Sequence, residues 1–272
     1  MTRQSQSTTS DFRIPNSEWD HPVLFVGAGP GDPELITIKG RNALQAADVV
    51  IYAGSLVPEE LLSWTRPGTP AINSASMPLE DIVAAMAQAW RSGKRVVRLH
   101  TGDPSLYGAL FEQVSELHKL GIPFKIIPGV TAAFAAAAAL GIEYTLPEVA
   151  QTLILTRVAG RTPVPESENL ASLAAHQTSM AIYLSMGQIE EVAASLIQTY
   201  GGQAPCAVVY RASQPGEKVI RTRLNKLAER VAAEGITRQA LVIVGRVLEI
   251  GPKDMKPKSR LYDKDFEHGF RK

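Results

Sequence analysis

Short apolar runs alternate with longer amphipathic stretches through the first half of this 272-residue chain. The short runs are rich in β-branched residues and predict strands at 23–27, 48–52, 95–100 and 124–129. Between them, apolar residues recur at helical spacing and predict helices near 37–47, 79–91, 105–119 and 131–140. This alternation indicates a mainly parallel sheet with helices packed on its faces.

In the second half the pattern changes, because strands outnumber helices after a segment rich in helix breakers at 141–151. Apolar runs predict strands at 152–157, 180–185, 206–212, 217–224 and 239–248. Helical spacing is confined to stretches near 187–199 and 224–234. Some of these strands follow one another after a short turn such as "SQPG", which favours antiparallel pairing and therefore a mixed sheet.

Together the two patterns of strands and helices predict an α/β protein with an N-terminal α/β domain at 21–145 and a C-terminal mixed α/β domain at 146–250. Because small ligands usually bind where domains meet, we expect the site in a cleft between them. Residues 1–20 are polar and have no apolar signal-peptide core, so they predict a flexible extension. Residues 251–272 are charged with interspersed aromatics, which fits either a loosely ordered tail or an arm packed on the body.

Charge and cysteine content narrow the functional classes. The chain has 28 Lys and Arg against 27 Asp and Glu, so it has no overall attraction for nucleic acid or an anionic membrane. Its longest central apolar run, 132–142, falls short of the roughly 18 residues of a membrane span. Cys206 is the only cysteine, which excludes an internal disulfide and a CxxC metal site. We therefore expect a cytoplasmic protein without nucleic-acid or membrane partners.

The first glycine-rich loop lies in "VLFVGAGPGDPELITIKG" (23–40) and departs from a dinucleotide-binding fingerprint. That fingerprint needs Gly at its first, third and sixth positions. Gly27 and Gly29 fill the first two, but the sixth is Asp32, whose carboxylate would repel a pyrophosphate. Pro30 and Pro33 also remove two backbone donors. The simpler interpretation is that Asp32 caps a turn with Pro33 at the first helical position.

Two further strand exits follow the same plan. In "HTGDPSLYG" (100–108), Asp103 and Pro104 by themselves are typical of an ordinary helix start. In "IIPGVTAAFAAAAALG" (126–141), Thr131 is positioned as N-cap of an alanine-rich helix that Gly141 ends. Small side chains predict either close packing on the sheet or a flat ligand, and ligands bind at the carboxyl ends of strands in open α/β sheets.

These three loops, in this order and spacing, resemble the tetrapyrrole methyltransferase family, whose members act on corrin, sirohaem and related precursors. The resemblance covers residues 22–272. The segments "YAGSLVPEEL", "QTLILTRVAGRTPVPE", "VVYRASQPGEKVIRT" and "LYDKDFEHGFRK" resemble the branch that acts in cobalamin biosynthesis. The resemblance implies the tetrapyrrole methylase fold, S-adenosyl-L-methionine as cofactor with S-adenosyl-L-homocysteine as product, a tetrapyrrole substrate, a homodimer and an ordered C-terminal arm.

The resemblance also implies which residues hold the methyl donor, largely through main-chain groups. From the first domain and the alanine-rich helix these are Thr101, Gly102, Asp103, Leu106, Tyr107, Thr131 and Ala132. From the second domain they are Met186, Tyr210, Arg211, Ala212, Thr237 and Ala240. Without the resemblance, Met186 and Ala240 are equally compatible with core packing, and Thr237 with a turn cap.

The macrocycle is expected on the first loop, through Gly29, Pro30, Gly31 and Asp32. We hypothesise that Asp32 and Asp103 act in catalysis by stabilising positive charge that reaches the ring nitrogens. The substrate's acetate and propionate groups require cations, because paired Arg forks match carboxylates best. Arg157 and Arg161 stand out for this role, ahead of Lys39, Arg211 and Arg271, because neutral, proline-bearing sequence surrounds them.

No metal site is predicted, because the five histidines show no HxxxH or HxxE spacing and are each interpreted as surface or helix-face residues. Other functions remain open: a tetrapyrrole carrier or regulatory module without turnover, and the superfamily's diphthamide-precursor and ribosomal-RNA methyltransferases. The near-zero net charge argues against RNA, and a dehydrogenase would need the missing sixth glycine. We favour a metal-free tetrapyrrole over a cobalt-bearing one, although no motif separates them.

Overall fold

The computed structural model describes residues 21–160, 162–251, 253, 266, 267 and 269. The described residues fall into two compact units, which we call unit 1, ending at Val130, and unit 2, beginning at Thr131. The predicted extension at 1–20 and most of the predicted arm at 251–272 lie outside the described residues. In the described part of the chain, every helix is too short or too polar to cross a membrane.

Unit 1 is built on one sheet of five parallel strands. The strands are β1 (Val23–Gly27), β2 (Val49–Tyr52), β3 (Ala71–Asn73), β4 (Val96–His100) and β5 (Phe124–Ile127). They lie in the order β3-β2-β4-β1-β5, and every pair is parallel. The predicted mainly parallel sheet is confirmed, and its carboxyl strand ends meet at one edge.

Three helices cover the faces of this sheet: α1 (Ile38–Ala46), α2 (Leu79–Arg91) and α3 (Leu110–Lys119). Leu44 of α1 packs with Val26 on one face, whereas Met86 of α2 and Leu117 of α3 pack with Phe25 on the other. Neighbouring residues of β1 thus point to opposite faces, as the two-residue period of a strand requires. Apolar burial on both faces holds the layers together.

Helix α3 begins at Leu110, later than the predicted start at 105. The delay has a backbone cause, because Tyr107 and Ala109 have φ values of 55° and 44°. Non-glycine residues rarely adopt this left-handed conformation, and it cannot continue into a right-handed helix. The segment after Asp103 and Pro104 is therefore a turn and not the first turn of a helix.

Unit 2 contains a mixed sheet of β6 (Leu153–Arg157), β7 (Ser179–Tyr183), β8 (Pro205–Tyr210), β9 (Lys218–Arg223) and β10 (Ala240–Val244). The order is β6-β7-β10-β8-β9, in which β6 is parallel to β7 and the other pairs are antiparallel. The predicted mixed sheet is confirmed. Its helices are α4 (Ala132–Leu140), α5 (Leu170–Ala174), α6 (Ile189–Tyr200) and α7 (Leu227–Ala233).

The alanine-rich helix α4 belongs to unit 2. Ala133 and Ala136 are fully buried and pack in one cluster with Ala181 of β7 and Ala207 of β8. Small residues on both sides allow a close approach of helix and sheet, which is the first of the two alternatives that the sequence left open for this helix. The chain therefore divides before α4, earlier than the predicted boundary at 145. Gly141 ends the helix at φ 63°, as predicted.

Candidate active site

Glycine backbones from three strand exits meet at the carboxyl edge of the unit 1 sheet. Gly29 and Gly102 exchange two backbone hydrogen bonds, of 3.2 and 2.8 Å. A β-carbon on Gly129 would lie 2.1 Å from the Gly102 carbonyl oxygen, and one on Gly27 would lie 2.5 Å from the Gly129 α-carbon. The exits of β1, β4 and β5 thus approach at distances that only glycine permits.

Asp103 links the exit of β4 to the exit of β5 through hydrogen bonds. Its carboxylate accepts hydrogen bonds from the N–H of Ser105 at 2.8 Å and from the N–H of Gly129 at 2.9 Å, and it also accepts one from the Ser105 hydroxyl. Burial raises the pKa of Asp103, but the hydrogen bonds from Ser105 and Gly129 outweigh it, so the pKa lies below its ordinary value. The carboxylate is therefore ionised and committed to holding the loop.

The first loop has the geometry of the simpler sequence interpretation. Asp32 is the N-cap of a 3₁₀ helix at Pro33–Leu35 and accepts a hydrogen bond from the Glu34 N–H at 2.8 Å. The predicted cap is confirmed. Gly29, Pro30 and Gly31 are buried, and their predicted role in substrate binding stays a prediction.

Two buried polar side chains, one on β4 and one on α3, support the 101–109 loop, and the sequence patterns did not reveal them. The guanidinium of Arg98, only 4% exposed, donates from Nε to Gln113 Oε1 at 2.9 Å. Gln113 Nε2 donates in turn to the Ala109 carbonyl at 2.9 Å. Arg98 also donates to Ser74 Oγ at 2.9 Å. Burial lowers the pKa of Arg98 to about 10, which leaves it charged at neutral pH.

The expectation that every histidine lies at the surface or on a helix face is wrong for His100. It ends β4, is 3% exposed and packs against the Phe25 ring. Burial, together with the charge of Arg98, lowers the pKa of His100 to about 3, although a bond to the Gly108 backbone opposes the shift. The imidazole is therefore neutral. Among the described residues, His, Cys, Asp and Glu form no cluster that could hold a metal ion.

In unit 2, the candidate residues of three strands gather at one edge of the mixed sheet. Tyr210, at the end of β8, pairs with Ala240, at the start of β10. The N–H of Arg211 donates to the Gln239 carbonyl at 2.8 Å, and both residues have left-handed φ values, of 49° and 54°. Strand β7 lies on the other side of β10 and leads to Met186. Strained conformations of this kind concentrate at ligand sites.

Thr131 is the N-cap residue of α4 by position, as predicted, but its hydroxyl makes no capping bond. Instead, Thr131 Oγ1 lies 2.6 Å from the hydroxyl oxygen of Tyr183. The same tyrosine oxygen accepts a hydrogen bond from the Ala133 N–H at 2.9 Å. Sequence reasoning missed Tyr183, because a tyrosine at the end of an apolar run looks like an ordinary strand residue.

Arg157 orders its own loop. Its guanidinium donates to the carbonyls of Val158, Thr162 and Pro163 at 3.2, 3.1 and 2.8 Å. These bonds tie the end of β6 to residues 162 and 163, and Arg161 lies outside the described residues. Binding of substrate carboxylates by Arg157 and Arg161 stays a prediction.

The predicted donor residues are divided between the two units, and their role in donor binding stays a prediction. At the unit 1 edge are Thr101, Gly102, Asp103, Leu106 and Tyr107. In unit 2 are Thr131, Ala132, Met186, Tyr210, Arg211, Ala212, Thr237 and Ala240. Of the residues whose roles were left open, Met186 is buried and Thr237 is exposed before β10.

Two curated relatives match most of the chain. A protein of Methanocaldococcus jannaschii named cobalt-precorrin-4 C(11)-methyltransferase is 55% identical over 92% of this chain and 96% of its own length. A protein of Pseudomonas aeruginosa named precorrin-4 C(11)-methyltransferase is 50% identical over 83% of this chain and 90% of its own length.

Solved structures have the same fold. The X-ray structure of a cobalamin biosynthetic enzyme, the cobalt precorrin-4 methyltransferase CbiF, matches with a TM-score of 0.81 and 46% identity over 84% of this chain and 95% of that one. Uroporphyrin-III C-methyltransferase of Thermus thermophilus, complexed with S-adenosylhomocysteine, matches with a TM-score of 0.71 and 29% identity over 88% of this chain and 99% of that one. The sequence model of the protein family Tetrapyrrole (Corrin/Porphyrin) Methylases matches residues 22–228. The family model and the relatives together show that this chain belongs to the tetrapyrrole methylases.

Proposed function

We propose that this chain transfers a methyl group from S-adenosyl-L-methionine to C-11 of precorrin-4, giving precorrin-5 and S-adenosyl-L-homocysteine in cobalamin biosynthesis. The observation that carries this proposal is the pair of relatives at 55% and 50% identity, both named for methylation at C(11) and aligned over 92% and 83% of this chain. Homodimerisation is a prediction that rests on the family resemblance, whereas a cytoplasmic location is a prediction from the charge, the cysteine content and the lengths of the apolar runs.

The chemistry of the two strand edges supports S-adenosylmethionine as donor. The unit 1 edge offers main-chain groups beside the 43% exposed ring of Tyr107. The candidate residues of unit 2 include Thr131 with its hydroxyl and the small side chain of Ala132, both half-buried, together with the buried Ala212 and Met186. An adenosyl amino acid needs main-chain and hydroxyl partners and flat apolar contacts, and each unit taken by itself offers groups of these kinds. When bound, S-adenosylmethionine supplies a methyl group that its positive sulfur has already activated.

Within this proposal the protein aligns and shields the reactants and provides no nucleophile of its own. Transfer to carbon is an in-line displacement, which requires the reacting atoms to be held at about 3 to 3.5 Å. Asp103 serves alignment, because its carboxylate fixes the Ser105 turn to the Gly129 exit. Asp32 is assigned the electrostatic role, since it ends the loop on which the macrocycle is expected and its charge favours positive charge on the ring nitrogens.

Arg157 is assigned to the substrate's carboxylates, with Arg161 as the second cation. The planar guanidinium of Arg157 is held by the Thr162 and Pro163 carbonyls, so little side-chain entropy is lost when it binds an anion. Cations at this loop would orient the macrocycle and would not take part in the displacement itself.

A cobalt-bearing substrate is the second candidate. The relative at 55% identity and the structure at 46% identity are both named for cobalt precorrin-4, whereas the relative at 50% is named for precorrin-4. The two substrates differ at the centre of the macrocycle, where one carries cobalt and the other does not.

The test is mass spectrometry of the tetrapyrrole after incubation of the purified protein with S-adenosylmethionine and either precorrin-4 or its cobalt complex. A gain of one methyl on the metal-free substrate, located at C-11 by NMR, is the expected result. Methylation of the cobalt complex alone would favour the second candidate. Binding of the donor with turnover of neither substrate would instead indicate a binding module.

A further inference from the structure

Helix α4 receives its N-terminal cap from a different element. Thr131 has the extended backbone of an N-cap residue, with φ −76° and ψ 150°, and threonine is a good capping residue. Nevertheless the Ala133 N–H donates to the Tyr183 hydroxyl at 2.9 Å, and Thr131 Oγ1 lies 2.6 Å from that same hydroxyl. The tyrosine has taken over the cap and holds the threonine side chain away from its usual partner.

Tyr183 itself is held firmly. Its carbonyl accepts a hydrogen bond from Ser185 Oγ at 2.6 Å, and Ser185 Oγ accepts one from the Val158 N–H at 3.1 Å. The next residue, Leu184, has a left-handed φ of 53° and is 66% exposed. Burial raises the pKa of Tyr183, so its hydroxyl stays protonated throughout the neutral range. The ring thus links the first turn of α4 to the strand exit that leads to Met186.

We propose that Tyr183 is a positioning residue of the methyl-donor site that acts through Thr131. This inference rests on the proposed function, in which Thr131 and Met186 both contact the donor. By capping Ala133 itself, Tyr183 frees the Thr131 hydroxyl from its own helix and fixes it for the ligand. Without the tyrosine hydroxyl, Thr131 can turn back and cap the first turn of α4, which preserves the helix but removes the hydroxyl from the donor site.

Calorimetric binding of S-adenosylhomocysteine tests the inference. Tyr183→Phe is expected to raise its Kd about tenfold, the worth of one hydrogen bond, with little change in Tm because Thr131 restores the cap. Thr131→Val is expected to raise the Kd equally, while Tyr183 keeps the cap. The double variant should bind no more weakly than either single variant. Its Tm should nevertheless decrease by more than the sum of the two single decreases, because neither side chain can then cap the helix.

Tyr200→Phe is the matched control. Its hydroxyl donates to the Thr178 carbonyl at 2.7 Å, just before β7 begins, whereas Tyr183 ends that strand. Loss of this bond should lower Tm and leave the Kd unchanged. Irreversibly unfolded protein lowers the binding stoichiometry and leaves the Kd unchanged. Titration at least about 15 °C below the Tm of each variant keeps reversible unfolding from raising the apparent Kd, so a structural defect is distinguished from a positional one.

Two results would overturn the inference: a wild-type Kd in Tyr183→Phe, or an undiminished effect of that substitution in the Thr131→Val background. If Tyr183→Phe fails to fold, Thr131→Val decides alone, because an unchanged Kd there removes the residue through which the tyrosine acts. Failure of the wild-type protein to bind S-adenosylhomocysteine would refute the proposed donor and, with it, this inference.

Discussion

The Asp103 carboxylate accepts the N–H of Gly129 at 2.9 Å and thereby joins the exits of β4 and β5, the two strands that flank β1. Its other oxygen accepts the Ser105 N–H at 2.8 Å. One carboxylate therefore fixes a turn within its own loop and the spacing between two loops. These contacts are structural, but their position matters for function, because the 101–109 loop carries five of the thirteen residues predicted to hold the methyl donor.

Asp103→Asn should weaken both stability and donor binding. The carboxamide keeps one acceptor oxygen for Ser105 but presents an NH₂ group to the Gly129 N–H, so that donor loses its partner. We expect the free energy of unfolding in urea to fall by about 1 to 3 kcal/mol, and the Kd for S-adenosylhomocysteine to rise. Asp48→Asn is the control, since Asp48 accepts the Arg95 N–H at 3.0 Å at the opposite edge of the same sheet. It should lose stability with an unchanged Kd, and the prediction fails if Asp103→Asn also keeps the wild-type Kd.

Acid should destabilise the chain well before its carboxylates titrate, because of His100. Burial and the Arg98 charge lower the pKa of His100 from 6.5 to about 3. Between these two pH values His100 is protonated in the unfolded state but not in the folded state. The free energy of unfolding therefore falls as the pH drops from 6.5 towards 3. The slope for one such proton is up to roughly 1.4 kcal/mol per pH unit. The lowered pKa of Asp103 adds a further loss only below 3.8.

Urea unfolding between pH 7 and pH 5 isolates the histidine. His100→Asn cannot titrate, so its free energy of unfolding should change less with pH across this range than that of the wild-type protein. Parallel pH profiles for the two proteins would contradict a neutral His100 in the folded state.

The fold was largely readable from the sequence because most of its strands are apolar runs of five or six residues. Strand β3 escaped prediction, since Ala71–Asn73 is a three-residue edge strand with two exposed positions. The start of α3 was misplaced because Asp103 and Pro104 carry a helix-start signal, while nothing in the sequence pattern marks the left-handed conformations of Tyr107 and Ala109.

The site was readable where it is made of backbone, and hidden where it depends on buried side chains. Glycines that follow predicted strands can be recognised from the sequence alone. By contrast, Tyr183 and Arg98 lie in strand sequences whose periodicity carries no sign of their partners, and Gln113 lies on a helix with a strong amphipathic pattern of its own. Their roles arise from pairings between elements that only the folded chain creates.

Arg98 and Gln113 should be strongly coupled. The guanidinium is buried among neutral partners, and its Nε–H donates to Gln113 Oε1 at 2.9 Å. Gln113→Leu should lower the free energy of unfolding by about 1.5 to 3 kcal/mol, because it leaves a charged donor unpaired. In an Arg98→Met background the same substitution should cost much less, since no buried charge remains. Urea unfolding of the four proteins measures this coupling, and additive losses would show that the pair is not a unit.

Gly129→Ala should be among the most damaging single-methyl additions in unit 1. The new β-carbon would lie 2.1 Å from the Gly102 carbonyl and 2.8 Å from the Gly27 α-carbon, and neither backbone atom can rotate away as a side chain would. The cost should lie at the upper end of the roughly 1 to 3 kcal/mol typical of overpacking, with a weaker affinity for S-adenosylhomocysteine because Gly102 must move.

Gly121→Ala separates steric overlap from backbone strain. Gly121 has a left-handed φ of 68° but open space around it, so alanine there should cost only about 1 kcal/mol and leave affinity intact. Thermal unfolding and calorimetry on the two variants compare these effects directly. Equal costs would mean that the three glycine exits can spread apart freely, and their close approach would then no longer explain why glycine occupies all three.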